Sequence, residues 1–443
     1  MKLFGRFRIT SFQIIAFSFL FLILAGTLLL MLPYASREEG SAAFSDCLFT
    51  ATSAVCVTGL VVRDTISAWT PFGQAVILIL IQIGGMGVVT TAVCIAFISG
   101  KKIGLMQRSV MQEAISAPQV GGIVRLTKFI LLTALVIETL GAAALMPAMV
   151  PLYGWKKGIW FSVFHAVSAF CNAGFDLMGA GQPFASMTGF AQDPLVNIVL
   201  ILLITIGGIG FLVWNDIREH GFHISRYRLQ SKLVLVTSGF LILVPFLWIF
   251  LAEQPGIPAT GRILPSLFQS VTLRTAGFNT MDLNSVSGSG KTIMILWMLI
   301  GGSPGSTAGG MKTTTFAVIL ITLSSVIRRK HDIECMGRRI SEDTVRSAVS
   351  IAAIYFLSFF LGGLAISRIE GLPLLSCLFE TASALGTVGL SLGITGSLCT
   401  ASRLVLIALM FLGRVGGLTL IYAAQSSRRQ VQSLRPLEKV TVG

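Results

Sequence analysis

Charged residues are scarce in this chain of 443 residues, of which only 12% are Asp, Glu, Lys or Arg. Soluble proteins usually carry about a quarter. Hydrophobic residues make up 54% of the chain, and the mean hydropathy is +0.83. The charges are also segregated, because short polar stretches separate long apolar runs. This pattern excludes an ordinary soluble protein and predicts an all-α polytopic protein of the lipid membrane.

Histidine and cysteine are also few, with 4 and 7 residues. The cysteines show no CxxC and no metal-ligand spacing, which argues against a zinc module or a disulfide framework. The polar residues do not cluster as a membrane-embedded enzyme would need. The stretch from Gly305 to Thr313 misses the phosphate-binding pattern GxxxxGK[ST] by one inserted residue, Met311. We therefore predict neither an enzyme nor an organic cofactor.

The positive charges are distributed as in a membrane protein. The formal net charge is +14, but Lys and Arg form no single stripe, which argues against nucleic acid as a partner. Most of them lie in the two tails and in the loops 99–128, 216–232 and 328–346. An excess of Lys and Arg marks the cytoplasmic side. With an even number of spans, both termini are therefore predicted to be cytoplasmic.

Long apolar runs predict eight transmembrane helices, each near or above the ~20 residues that cross a bilayer. They fall near residues 11–32, 71–98, 126–150, 194–215, 231–252, 291–327, 345–366 and 402–423. Between each odd and even run lies a segment too short to cross and too apolar for an ordinary loop, which is typical of a re-entrant segment. These segments are near residues 42–53, 157–169, 261–272 and 372–383.

The re-entrant segments resemble one another. Each has a helical half, then small residues and one glycine, and the third copy is one residue shorter. The copies contain AVCVTGL at 54–60, AFCNAGF at 169–175, RTAGFNT at 274–280 and ALGTVGL at 384–390. A second glycine motif recurs in the even spans, as in Ile83-Gly-Gly-Met-Gly87. Glycine pairs alone could reflect close helix packing. Two motifs recurring in order predict instead four M1–P–M2 repeats in pseudo-fourfold symmetry around one pore.

This arrangement suits a cation stripped of its water, which needs oxygen ligands at close range. Backbone carbonyls supply such ligands without a fixed charge that would trap the ion. Glycine adopts the required backbone conformation at little steric cost. The candidate ion-binding residues of the four loops are Cys56, Val57, Thr58 and Gly59; Cys171, Asn172, Ala173 and Gly174; Arg274, Thr275, Ala276 and Gly277; and Gly386, Thr387, Val388 and Gly389.

Three weaker groups of polar residues accompany the loops. His165, Gln269 and Glu380 occupy one aligned position and are predicted to satisfy local hydrogen bonds behind the loops, with tuning of the external field as the alternative. Asp176 and Asp282 follow two of the glycines. They are candidates for enriching cations at the mouth, unless they are ordinary surface acids.

The sixth span is too long for one straight crossing and contains ten residues without a large apolar side chain, 301–310. Because apolar sequence resumes at Met311, we expect a loop buried within the membrane layer; the alternative is an ordinary exposed loop. Arg414 lies in the middle of the eighth span, where a charge is costly and is a functional candidate by default. It faces the pore in one interpretation and pairs with Glu138 in the other.

The four loop sequences together resemble the Trk/Ktr/HKT superfamily of potassium transporters, and within it the bacterial KtrB type. The resemblance covers nearly the whole chain, and the two additional N-terminal spans that are usual in TrkH proteins are missing. Some sodium-selective plant relatives have Ser at the first loop glycine, whereas this chain has Gly59. The resemblance thus implies uptake of K⁺, either channel-like or dependent on Na⁺, across the bacterial plasma membrane.

The resemblance also implies a gate and partners. The gating loop, about residues 301–312, comprises Gly301, Gly302, Ser303, Pro304, Gly305, Ser306, Thr307, Ala308, Gly309, Gly310 and Lys312, with Arg414 beside it. KtrB-like chains form homodimers on a cytoplasmic nucleotide-binding ring subunit, which is KtrA-like. The repeats divide the chain into residues 1–110, 111–225, 226–335 and 336–443, the last with the C-terminal tail. An ion-coupled secondary transporter of another solute is the alternative function.

Overall fold

The computed structural model describes residues 10–37, 40–88, 90–91, 104–115, 119, 121–179, 181–253, 258–330, 332–417 and 419. The ends of the predicted second and eighth spans and the two tails lie outside the described residues. Helices dominate the described residues, and a short antiparallel pair of strands, β1 (Glu334–Cys335) and β2 (Arg338–Arg339), accompanies them.

Fifteen α-helices of the described residues are numbered in chain order. They are α1 (Ser11–Leu30), α2 (Phe44–Val55), α3 (Thr65–Ala68), α4 (Pro71–Met86), α5 (Leu105–Ile115), α6 (Ile123–Phe170), α7 (Pro194–Gly208), α8 (Phe211–His220), α9 (Leu229–Trp248), α10 (Ala259–Thr272), α11 (Gly288–Met298), α12 (Thr313–Ile327), α13 (Glu342–Glu370), α14 (Leu374–Gly386) and α15 (Thr400–Val415). A π-helical turn, Ile249–Glu253, extends α9.

Four helical segments of the described residues are long and apolar enough to cross a membrane: α1, α6, α13 and α9 with its π-helical turn. The pair α7 and α8 would make a fifth span, although the chain bends by 93° between them. Helices α4, α12 and α14 are apolar but shorter. The prediction of a helical, multi-pass membrane protein is confirmed, and the number of eight spans and the four repeat boundaries stay predictions.

Local sequence explains where several helices begin. The Thr70 side chain accepts a hydrogen bond from the Gly73 backbone N–H, and Pro71 occupies the first turn of α4, where no N–H partner is needed. Asp193 and Pro194 repeat this arrangement at the start of α7. Thr10 and Gln13 form a reciprocal capping box at the start of α1.

The glycine motifs of the even spans interrupt their helices. Helix α4 ends before Gly87 (φ 86°), α7 ends before Gly210 (φ 95°), and α15 ends before Gly416 (φ 92°). The interruption that the sequence predicted in the sixth span therefore has shorter counterparts in the second, fourth and eighth spans. Positive φ ends a helix, and glycine takes it without the penalty of a Cβ. In the sixth span the interruption is longest, and we call its residues 299–312, between α11 and α12, the central loop.

The core lies around α2, α10, α14 and the last part of α6, the helical halves of the four re-entrant segments. Their aligned Phe residues are all buried: Phe49, Phe164, Phe268 and Phe379. Large apolar side chains on α1, α6 and α13 are instead exposed, as Phe21, Leu132 and Leu361 show. Exposed apolar faces on long helices fit contact with lipid chains rather than with water.

The first and last quarters of the chain meet at an ion pair. The Asp46 carboxylate accepts hydrogen bonds from Arg403 at 2.6 Å and from Arg63. Asp46 lies in the first turn of α2, and Arg403 in the first turn of α15. The pair thus joins two elements that are more than 350 residues apart in sequence.

Candidate functional site

All four glycine loops share one backbone conformation. The glycines Gly59, Gly174, Gly277 and Gly389 have φ between 70° and 96°. Two residues before each glycine, a non-glycine residue also has positive φ: Val57, Asn172, Thr275 and Thr387. Residues with positive φ thus alternate with residues of ordinary φ. This alternation points successive backbone carbonyl groups in the same direction. A strained conformation repeated in four separate loops is typical of a functional site.

The four loops form a closed ring. A Cβ added to any of the four glycines would lie within 2.7 Å of a carbonyl oxygen on a neighbouring loop. The pairs are Gly59 with Ala173, Gly174 with Ala276, Gly277 with Val388, and Gly389 with Thr58. No side chain fits in these positions, so the ring is lined by backbone. A ring of backbone carbonyls offers the ligands that a dehydrated alkali cation prefers.

Hydroxyl groups at one aligned position support each loop from behind. Ser53 accepts a hydrogen bond from the Gly59 N–H at 3.1 Å, and Ser383 accepts one from the Gly389 N–H at 3.0 Å. Ser168 and Thr272 donate to the carbonyls of the residues that follow the other two glycines. These four residues were not predicted from the sequence, although a Ser or Thr at the same place in every copy was the available signal.

The aligned polar residues of the re-entrant helices divide into two kinds. His165 Nε2 accepts from the Leu177 N–H at 3.1 Å. Glu380 accepts from Ser391 and from the Leu392 N–H. Both therefore hold the chain just beyond a loop, as the sequence predicted. Gln269 is buried and its side-chain amide has no partner among the described residues.

A cavity of about 370 Å³ lies on one side of the ring and is lined by all four loop glycines. Asp64, Asp176 and Asp282 also line it, so the sign of its charge favours cations. Desolvation and the neighbouring Asp64 carboxylate raise the pKa of Asp176, in the connection between α6 and α7, to about 6. The sequence indicated Asp176 and Asp282 as candidates, and only the structure adds Asp64.

The central loop lies against the ring. Thr307 Oγ1 donates to the Phe170 carbonyl, and it lies 3.0 Å from the side-chain oxygen of Asn172 in the second glycine loop. A Cβ on Gly309 would collide with Thr387 of the fourth glycine loop. The backbone of the central loop is also paired with α7, since the Ser303 N–H donates to the Gly208 carbonyl at 3.0 Å. Its position therefore depends on three parts of the chain.

Arg414 fixes the central loop to the first quarter of the chain. Its guanidinium donates to the Thr307 carbonyl and to the carbonyls of Gly84 and Gly85, the last at 3.0 Å. These carbonyls are available because α4 ends at this point. Arg274, by contrast, is buried and two of its guanidinium nitrogens have no partner among the described residues.

The alternative pairing of Arg414 with Glu138 is not observed. Glu138 instead accepts a hydrogen bond from Gln82 at 3.1 Å and lies 3.9 Å from the Cys171 sulfur. The guanidinium of Arg414 instead donates to the backbone carbonyls at the end of α4. Lys312, which belongs to the central loop itself, donates to the Ala308 carbonyl at 2.8 Å. The ammonium group of Lys312 is therefore bound by the backbone of the central loop itself.

The glycines of the even spans allow this close assembly. A Cβ on Gly84 would lie closer than 3.0 Å to the Val55 carbonyl oxygen, and Gly207 and Gly413 meet Phe170 and Leu385 in the same way. The residues contacted immediately precede the glycine loops. Close helix packing and the ring of glycine loops are thus parts of one arrangement. The described residues contain no cluster of His, Cys, Asp and Glu that could hold a metal ion.

Comparison with known proteins gives consistent results. The TrkH family model, described as a cation transport protein, matches residues 6–432. The chain is 38% identical to the potassium/sodium uptake protein NtpJ of Enterococcus hirae, over 100% of this chain and 99% of the relative. It is 40% identical to the Ktr system potassium uptake protein B of Bacillus subtilis, over 94% of this chain and 93% of the relative.

A solved structure shares the fold. The crystal structure of the potassium transporter TrkH from Vibrio parahaemolyticus matches with a TM-score of 0.74 and 22% sequence identity. The match covers 96% of this chain and 86% of that chain. At this identity the likeness concerns the fold alone. Together with the family model and the full-length relatives, it means that the chain belongs to the TrkH family of cation transport proteins and is a transport protein rather than an enzyme.

Proposed function

We propose that the chain takes up K⁺ through the ring of four glycine loops, which acts as a selectivity filter. The observation that carries the proposal is the closed ring, in which every loop glycine lies against a neighbouring backbone carbonyl. Carbonyl rings replace the hydration shell of K⁺ without binding it too tightly for release. The names of both full-length relatives include potassium uptake.

The central loop is proposed to be the gate. It lies against the second and fourth glycine loops through Thr307 and Gly309, and Arg414 fixes it to the end of α4. A permeating cation would have to pass this loop and the charge of Arg414. Opening would require the hydrogen bond from Arg414 to the Thr307 carbonyl to break or move.

The proposed assembly is a homodimer on a cytoplasmic nucleotide-binding ring subunit of the KtrA type, in the bacterial inner membrane. The support is the similarity to the B subunit of a Ktr system and the predicted excess of Lys and Arg on one side. Because one relative is named for both potassium and sodium, assays with and without Na⁺ decide whether uptake depends on sodium.

Complementation tests the proposed function. A bacterium that lacks its potassium-uptake systems is grown on micromolar K⁺ with this chain, with the ring subunit, and with both. We expect growth with both, and expect a purified, reconstituted chain to pass K⁺ in preference to Na⁺. The matched negative control carries Gly59→Ser at equal membrane abundance. Growth that is absent at normal abundance, with uptake of a labelled organic solute instead, would favour a secondary transporter.

A further inference from the structure

A second cavity lies far from the glycine loops, between the start of α6 and helix α8. Its volume is about 530 Å³. Three arginines line it, Arg125, Arg218 and Arg228, together with one acid, Glu219. The Glu219 carboxylate is hydrogen-bonded to Asn215 at 2.9 Å. The cavity therefore has a net positive character and a size that admits a phosphate group.

The start of α6 adds backbone donors to this cavity. Gly122 precedes the helix with φ 76° and provides no side-chain cap, and Ile123 begins it. The first N–H groups of an α-helix have no partner within the helix, and they favour anions. Gly122, Ile123 and Arg125 all line the cavity. Arginine is well suited to phosphate because its planar group offers paired donors.

The other two arginines are held by neighbouring side chains. The Arg218 guanidinium lies over the Phe129 ring at 4.6 Å from its centroid. Arg228 pairs with the buried carboxylate of Asp216 at 3.5 Å. These contacts hold both side chains in place at the wall of the cavity. Arg228 is partly neutralised by this pair, whereas Arg125 and Arg218 have no carboxylate within ion-pair distance among the described residues.

A row of apolar side chains extends from the cavity along one face of α6. Phe129, Leu132, Val136 and Leu140 follow Arg125 at helical spacing and so share its face. Leu132 is 61% exposed and Leu140 is 65% exposed. A positively charged cavity at the end of an exposed apolar helix face is complementary to both parts of a phospholipid. The cavity suits the phosphate group, and the helix face suits the acyl chains. Soluble phosphate has only the first of these parts.

We propose that this cavity binds the headgroup phosphate of an anionic membrane lipid, whose acyl chains lie along the exposed face of α6. Basic pockets among membrane helices are suited to such headgroups. The lipid would connect α6 to α8. The Phe211 N–H, at the start of α8, donates to the Gly305 carbonyl of the central loop at 2.6 Å. A bound lipid therefore restrains the central loop, and this last step alone rests on the proposed gating function.

Lipid retention tests the binding step. The full chain is purified in detergent, stripped of lipid, and incubated with equal amounts of phosphatidylglycerol and phosphatidylcholine before native mass spectrometry. We expect preferential retention of phosphatidylglycerol. The double variant Arg125→Ala, Arg218→Ala should weaken this retention by roughly 25-fold, because each basic residue at a membrane surface contributes about fivefold. The matched control is Arg338→Ala, Arg346→Ala, which removes two exposed arginines elsewhere and should retain lipid like the wild type.

The outcomes are distinct. Equal retention in the wild type and both double variants would overturn the lipid site. Displacement of phosphatidylglycerol by millimolar inorganic phosphate would overturn the lipid assignment and leave a soluble phosphate as the ligand. The single variant Arg125→Gln, which changes one exposed side chain, tests the site if the double variant does not fold; unchanged retention in it would also count against the site.

Flux in vesicles tests the link to the central loop. The wild-type chain is reconstituted into phosphatidylcholine vesicles with and without phosphatidylglycerol. We expect K⁺ flux to change severalfold with the anionic lipid in the wild type and in the Arg338, Arg346 control, but not in the Arg125, Arg218 double variant. Lost retention with unchanged lipid dependence would overturn the link to gating. A chain that carries no K⁺ but retains lipid would contradict the proposed function and not the lipid site.

Discussion

Arg414 donates a hydrogen bond to the backbone carbonyl of Thr307, although 107 residues separate the two in sequence. Thr307 in turn donates from its hydroxyl to the carbonyl of Phe170. Phe170 directly precedes the second glycine loop. A charged side chain near the end of α15 is thus linked through two hydrogen bonds to the ring.

Replacing Arg414 tests the barrier below the ring. Arg414→Ala removes a permanent positive charge and the bonds to Thr307, Gly84 and Gly85. Hydrogen bonds to charged groups contribute about 1.5–3 kcal/mol, so we expect K⁺ flux to rise about tenfold or more. Arg414→Lys should restore the charge but not the forked geometry, and flux should be intermediate.

Membrane abundance must be measured together with flux in these variants. Arg346→Ala, at an exposed position in the first turns of α13, serves as the control for loss of one arginine. Stable Arg414→Ala protein with lowered flux would contradict the barrier role. Loss of the protein from the membrane would point to a structural role instead.

Thr307→Val keeps the shape of the side chain but removes the hydroxyl that contacts Phe170 and Asn172. A buried hydrogen bond contributes about 1 kcal/mol, so the closed position of the central loop should be weakened about fivefold. We expect higher K⁺ flux without the ring subunit. Thr322→Val, which removes a hydroxyl that donates to the Val318 carbonyl within α12, is the control and should leave flux unchanged. Equal flux in both variants would place the gate elsewhere.

Gly59→Ser tests the assignment of the ring as a filter. A Cβ at Gly59 would lie 2.5 Å from the Ala173 carbonyl oxygen, and the backbone has φ 87°. Overpacking costs about 1–3 kcal/mol, so discrimination of K⁺ from Na⁺ should fall roughly tenfold. Gly189→Ser introduces the same side chain into open space and should be silent. Normal ion selectivity of Gly59→Ser protein at normal abundance would rule out this loop as part of the filter.

Ser53→Ala and Ser383→Ala test the hydroxyls behind the ring. Each variant leaves a buried N–H, of Gly59 or Gly389, without its partner, which costs about 1–3 kcal/mol. We expect a severalfold loss of ion selectivity and a lower melting temperature in both. Ser18→Ala removes a hydroxyl that donates to the Ile14 carbonyl within α1 and provides the comparison. Reduced melting temperature with unaltered selectivity would limit the serines to a structural role.

The pKa of Asp176, raised by desolvation to about 6, predicts a pH dependence of uptake. Above this pH the carboxylate is charged and attracts cations to the cavity; below it the group is protonated and neutral. Lowering the external pH from about 7.5 to about 5 should therefore raise the KM for K⁺ in the wild type. Asp176→Asn should have a high KM throughout, whereas Asp282→Asn should keep the pH dependence. A pH profile that Asp176→Asn does not alter would contradict the prediction.

The sequence predicted the main elements of the site because they repeat. Four copies of a helix followed by a glycine, in the same order, identify the loops without any knowledge of their contacts. It also identified Arg414, because a charge within an apolar run is costly and therefore conspicuous. The hydroxyls at Ser53 and Ser383 were equally regular, but a serine has too many ordinary roles for its position to be informative without a partner.

Composition and repetition thus determined that this chain is a helical membrane protein with four related loops. Only the tertiary structure decided which groups meet. Asp46 with Arg403, Arg414 with Thr307, and Glu138 with Gln82 all join distant parts of the chain, and the choice among them depends on helix packing. The interruptions of α4 and α15 likewise needed the structure, because glycine permits both a continuous and a broken helix and packing against the re-entrant helices selects the second.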